Sequence, residues 1–377
     1  MPHTTPTEDD PLADEDSAPD PVDYAEQALL GALLSRPALI HQLPSLSPGD
    51  FARHAHGALF AAITQLAPPP ATNARGVKGA PALPSLEWIR SVFTAASARS
   101  RGLHLPYLHH LIHTCPTPEH APAYARIVQA GHARRSLGAH AERLAQLTHD
   151  TTRLVPAAAV ADQVQRLLQH LDTLQQQHGF HTSTPPRTPS APLPGNEPTA
   201  DELSAEQSLL AGLLHHPESI AGLPLRPADF TDPLHSGLFA CLTAMAHRGH
   251  PIDPVTVLTE AQQRGLLTRP DTAQSVMALV QPNPDDPAYW TEQILHHTVL
   301  RTARTAAHRI RAYTVDPATT AHQLLIGTRR ALAEVTGAHR RWQLQRTPPA
   351  PPPSRPPVTV RAPTARTAPP PVTRTAR

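Results

Sequence analysis

The chain contains itself twice. Ala25-Glu26-Gln27, followed by Leu29-Leu30, Leu33-Leu34 and Pro37, recurs as Ala205-Glu206-Gln207, Leu209-Leu210, Leu213-Leu214 and Pro217, always 180 residues further on. The offset then slips to 179, where Asp50-Phe51 matches Asp229-Phe230, His56 matches His235 and Leu59-Phe60 matches Leu238-Phe239. A third block lies at an offset of 166 and pairs Pro116 with Pro282, Pro118 with Pro284 and Tyr124 with Trp290. Matches in one order, with the drift absorbed between them, are what a duplicated domain leaves behind. A unit of roughly 140 residues buries close to 70% of its unfolded surface, so each copy can hold a core. Function is to be sought in one unit used twice.

Within each copy the pattern is helical. Leu29, Leu30, Leu33 and Leu34 share one helix face, as do Leu209, Leu210, Leu213 and Leu214. Asp23 with Glu26, and Ser204 with Gln207, have capping-box spacing and are expected to open these first helices. Pro37 and Pro217 close that helix or open the next. Ser47-Pro48 caps a short segment, and Leu59, Phe60, Ile63 and Leu66 mark another helix. Each copy ends in two longer amphipathic stretches, about 124–147 with 156–177 and 290–313 with 317–342, which predict an antiparallel helical hairpin. No stretch alternates apolar and polar residues as a strand would. The expected fold is all-α: two copies of a small helical head plus a long hairpin.

Composition sets the boundaries. Residues 1–21 are acidic and are expected to be disordered. The first domain is expected over 22–178, a proline-rich linker over 179–200, and the second domain over 201–345. Residues 346–377 carry Arg355, Arg361, Arg366, Arg374 and Arg377 with no acid, and are expected to form a disordered tail. Repeat one also has an insert, 68–85, expected to be a surface loop and holding the one lysine, Lys78. Cys115 and Cys241 occupy non-equivalent positions and form neither a disulfide framework nor a zinc site. With no basic-then-apolar leader and no apolar run of about 18 residues, a cytoplasmic location is expected.

Taken in series, these landmarks resemble the N-terminal domain of the DnaB-type replicative helicase. That family opens with an A-E-Q helix, a leucine-rich run and a proline, then has a D-F element and an H-x-x-L/I-F helix. A P-I-D-x-V-T-V stretch follows, which repeat two carries as Pro251-Ile252-Asp253-Pro254-Val255-Thr256-Val257 and repeat one lacks. The Y-A-x-I-V entry to the hairpin is matched by Tyr124-Ala125-Arg126-Ile127-Val128, and more loosely by Trp290-Thr291-Glu292-Gln293-Ile294. The resemblance implies docking onto replicative helicase, primase or a helicase loader, and pairing of domains through their hairpins. It nominates Tyr124, Ile127, Val128, Leu137, Trp290, Ile294 and Leu300 as docking or hairpin-interface residues. It also implies that two such domains in one chain can pair with each other or self-associate.

The departures matter as much. The helicase motor needs a G-x-x-x-x-G-K-[ST] loop, and the sequence has none around Lys78 or elsewhere. No enzymatic activity, nucleotide site, metal or other cofactor is therefore expected. His109 and His113 have i, i+4 spacing but lack the further ligands a structural zinc requires. Arg301, Arg304, Arg309, Arg311, Arg329 and Arg330 either line a positive face or solvate a helix surface. The tail arginines either gather phosphate contacts with nucleic acid or merely solubilise the chain. Two functions follow: an accessory or regulatory protein of DNA replication, or a nucleic-acid-binding protein whose repeats only oligomerise.

Overall fold

A computed structural model describes residues 20–68, 85–149, 156–178, 197–267, 272–278 and 286–346. Most of the acidic N-terminal segment, the insert, the linker and the tail, with its five arginines, lie outside these residues. Among the described residues there are helices and turns but no strand. Repeat one comprises α1 (Pro21–Ser35), α2 (His54–Leu66), α3 (Leu86–Ser97), α4 (Leu105–Thr114), α5 (Ala121–His149) and α6 (Pro156–His178). Repeat two follows the same order with α7 (Ala200–His215), α8 (Pro233–Arg248), α9 (Pro254–Gln263), α10 (Thr272–Ala278), α11 (Pro287–Val315) and α12 (Ala321–Arg346). The all-α expectation holds, and each copy is a four-helix head followed by a hairpin of two long helices.

The first helices form where the leucine face demands, but their caps differ from the expectation. Asp20, not Asp23, caps α1: its carboxylate accepts from the Val22 N–H at 3.0 Å, ahead of Pro21 in the first turn. Thr199, not Ser204, caps α7, in a reciprocal box with Glu202. For α1 the reason is that Glu26 points inward as a buried acceptor and is not available to its own helix end, whereas Ser204 lies inside α7, which already begins at Ala200. Pro37 and Pro217 each open a short 3₁₀ turn, where a missing N–H costs nothing. Asp253 of the P-I-D stretch caps α9, accepting from the N–H groups of Val255 and Thr256 at 2.8 and 3.0 Å. Repeat one uses Ser85 for the same task at α3.

Leu29, Leu30, Leu33 and Leu34 are fully buried, each contributing about 1.5–3 kcal/mol by leaving water. They form the centre of head one with Leu59, Ile63, Val92, Leu108 and Leu111, closed by Ala121, Ala125 and Val128 from the start of α5. The second core does not stop at the repeat boundary. It runs from head two through α11 and α12 into the hairpin of repeat one, taking in Leu137, Ala141, Leu144, Val160, Leu167 and Leu171.

Candidate pairing interface

The two hairpins lie against each other, with α5 packed along α11 and α6 along α12. Leu137, Ala141 and Leu144 of α5 stand 166 residues before Ala303, Ala307 and Ile310 of α11, and all of them are buried in one cluster. The offset seen in the sequence thus maps one helix onto its pseudo-symmetric partner. Gly138 faces Thr314 across this seam, and a Cβ there would sit 3.9 Å from the Thr314 Cβ, in ordinary contact.

Polar contacts fix the pairing. The Arg134 guanidinium, reaching from α5, donates to the carbonyls of Thr314 at 3.2 Å, Asp316 at 2.8 Å and Thr319 at 2.7 Å. These lie at the end of α11 and in its turn into α12, where the last helical carbonyls lack partners within the helix. A cation at a helix C-terminus also meets the negative end of the macrodipole. Arg311 pairs with Glu142 at 3.1 Å, and Arg329 with Asp172 at 2.6 Å and with the Gln175 amide oxygen at 3.0 Å. These last two pairs are largely solvent-exposed and so worth little each. The buried apolar rows and the Arg134 fork carry the contact.

A second kind of lock lies inside each head. In head one the buried Glu26 carboxylate accepts from the Ala52 N–H at 2.6 Å and from His56 Nδ1 at 2.7 Å. The other ring nitrogen of His56 meets the Tyr107 hydroxyl at 2.7 Å, and burial, opposed by Arg53 and aided by Glu26 and Asp23, pushes that phenol pKa up. In head two Glu206 accepts from the Thr231 N–H and hydroxyl, the Asp232 N–H and His235 Nδ1. Burial alone would raise the Glu206 pKa, but these four donors hold it below the ordinary carboxylate value. The A-E-Q glutamate and the H-x-x-L-F histidine are thus two halves of one buried clasp. Arg135 and Arg301, again 166 residues apart, extend it by donating to the carbonyls of Asp50 and Asp229.

Of the nominated residues, Leu137 sits in the inter-hairpin core. Trp290, Ile294 and Leu300 pack in the same cluster on the stretch of α11 nearer head two, Trp290 edge-on to Tyr289. Val128 is buried in the core of head one with Tyr124 packed against it, and Ile127 is 43% exposed. Arg134 and Gly138 were not among the nominated residues. Their only sequence signal is the loss of symmetry: repeat two has Leu300 where repeat one has Arg134. The hairpin arginines are not one continuous positive face, since Arg301, Arg309, Arg311 and Arg329 are engaged with carbonyls or carboxylates.

The DnaB-like helicase N-terminal domain model matches residues 19–69 and 199–294, taking in α1 and α2 of the first head and reaching from α7 into α11. The N-terminal domain of DnaB helicase from Mycobacterium tuberculosis is 31% identical and 96% of it is covered, over 36% of this chain, with a TM-score of 0.32. The chain belongs to the DnaB-like helicase N-terminal domain family. The replicative DNA helicase DnaB of Mycobacterium leprae is 33% identical over 123 residues, 32% of this chain. The chain spans only 20% of the length of that helicase. The clasp between the A-E-Q glutamate and the H-x-x-L-F histidine lies inside the matched segments, whereas α5, Arg134 included, and α12 lie outside them.

Proposed function

We propose that this chain is a non-catalytic accessory or regulatory protein of DNA replication. It uses its helicase-N-terminal-like domains to dock replicative helicase, primase or a helicase loader. The observation that carries the reading is the joining of two such domains through their hairpins inside one chain. A tethered pair of this kind is a pseudo-dimer: one linker raises the effective concentration of the second domain to about millimolar, favouring pairing without new contacts. Its two heads are then presented at fixed separation to a partner. The reading assigns it no ATP hydrolysis, and places it in the cytoplasm with the replication machinery. Among the described residues, no helix is long and apolar enough to cross a membrane.

Size-exclusion chromatography with light scattering tests this, on the protein alone and mixed with the replicative helicase and primase of its host. The expected result is a monomer that moves into a larger complex with one of them. No shift well above micromolar concentration, with helicase, primase or loader, overturns the docking role. The arginine run of residues 346–377, without a single acid, favours a second reading in which the tail grips nucleic acid. Deleting the residues after Arg346 then abolishes DNA binding and its salt dependence, whereas docking to a replication protein survives.

A further inference from the structure

The pairing of the hairpins is not symmetric, and the asymmetry has a chemical cause. Arg134 spans three carbonyls at the turn of the other hairpin, whereas its pseudo-symmetric counterpart Leu300 has no donor to offer in return. Two copies of repeat two facing each other would place a leucine against the carbonyls of Thr314, Asp316 and Thr319. The fork would be lost, and with it a guanidinium at the negative end of α11. We propose that the hairpins recognise each other heterotypically, repeat one for repeat two, and that Arg134 is the residue that sets this choice. The partner surface it reads is the carbonyl-lined turn from Thr314 to Thr319, capped on the far side by Thr320 and Gln323 at the start of α12. The inference rests on the pseudo-dimer reading and refines it. A closed chain offers neither hairpin to a second molecule, and only a repeat-one hairpin fits the place that Arg134 holds.

The test uses the full-length chain with Cys115→Ser, the buried Cys241 being left in place. Gly138→Cys with Thr314→Cys places two thiols where the Cβ separation of 3.9 Å falls within the disulfide range of about 3.5–4.5 Å. With Arg134 present, the disulfide is expected to form within the chain and leave it monomeric on a non-reducing gel. With Arg134→Leu, cross-linking within the chain is expected to slow at least about tenfold, a loss of about 1.4 kcal/mol, and species linked between chains appear. Arg134→Lys, which keeps the charge but not the fork, is expected to fall between the two. Circular dichroism confirms that each variant retains its helices. If Arg134→Leu cross-links as fast as the parent and remains monomeric, Arg134 does not set the pairing. If the two cysteines fail to join even with Arg134 in place, the pseudo-dimer itself is wrong.

Discussion

Replacing Glu206 by alanine tests the clasp inside head two most directly. The residue is 2% exposed and its carboxylate accepts from the Thr231 N–H, the Thr231 hydroxyl at 2.7 Å, the Asp232 N–H at 3.3 Å and His235 Nδ1 at 2.8 Å. Glu206→Ala removes all four acceptor contacts at once and leaves a cavity that only partly relaxes. Each orphaned buried donor costs about 1–3 kcal/mol, though the Thr231 hydroxyl can rotate to another acceptor. Loss of one partner of a buried, hydrogen-bonded pair costs about 3–5 kcal/mol, which we take as the expected size. Glu206→Gln keeps an acceptor for Thr231 and is expected to cost less than half as much. Because the chain holds two heads, a single melting temperature averages over both, so amide hydrogen exchange is the sharper assay. The Thr231 and Asp232 amides are expected to lose protection selectively in Glu206→Ala. A stability loss below about 1 kcal/mol with unchanged exchange at those two amides would mean that the glutamate is not what holds the loop to the helix.

Gly31→Ala is expected to destabilise head one by about 1–3 kcal/mol or more, because a Cβ there would sit 2.0 Å from the Leu111 carbonyl oxygen. Gly138→Ala, whose Cβ would meet Thr314 at an ordinary 3.7 Å, is the matched control and should be neutral to slightly stabilising in chemical denaturation. Arg341→Ala leaves the buried Asp229 carboxylate without its guanidinium, and the last turns of α12 are expected to lose exchange protection from about Ala338 onward. Burial first, then the neighbouring His297 and Arg346, hold the His296 pKa down to about 4, and burial also lowers His297 and His339. Below about pH 6.5 the unfolded chain binds protons that these folded histidines refuse, so melting temperature should fall steadily towards pH 4, where protonation of Glu206 adds to the loss. His296→Phe should flatten that fall, and a melting temperature constant down to pH 4.5 would refute the assignment.

The legible part of this fold is the part written in periodicity. Leu29, Leu30, Leu33 and Leu34 announce a buried helix face whatever lies opposite, and the two long amphipathic stretches announce a hairpin because nothing else covers so much apolar stripe. What depends on a distant partner was not legible. Glu26 has capping-box spacing from Asp23, yet its oxygens serve Ala52 and His56, some thirty residues away. The start of α1 is therefore capped by the residue before it, Asp20. The motif glutamate and histidine were visible as landmarks and silent about their contact. Arg134 was quieter still, since an arginine on a long polar helix reads as a solvated side chain until the turn it reaches is known.

The two kinds of lock answer to different constraints, and this explains where the repeats agree and where they part. The clasp joining glutamate, histidine and the loop between them is made within a single head, so each copy needs its full set to fold: Glu26 with His56, and Glu206 with His235. The hairpin contact is made between copies. In a two-fold symmetric dimer the interface is isologous, and any residue that makes a contact makes it twice. In a tandem chain each contact need be made only once, so one copy can supply the donor and the other the acceptor. Arg134 against the turn at Thr314, Asp316 and Thr319 is such a division of labour, and Leu300 is free to be apolar because the opposite side already supplies the charge. The same reasoning covers α12, which folds its end onto its own head through Arg341 and Asp229, whereas α6 turns Asp172 and Gln175 outward to Arg329 of the other copy. A symmetric pair of repeat-two hairpins would keep Arg341 on Asp229 but would lack the contacts that Arg134, Asp172 and Gln175 supply from repeat one.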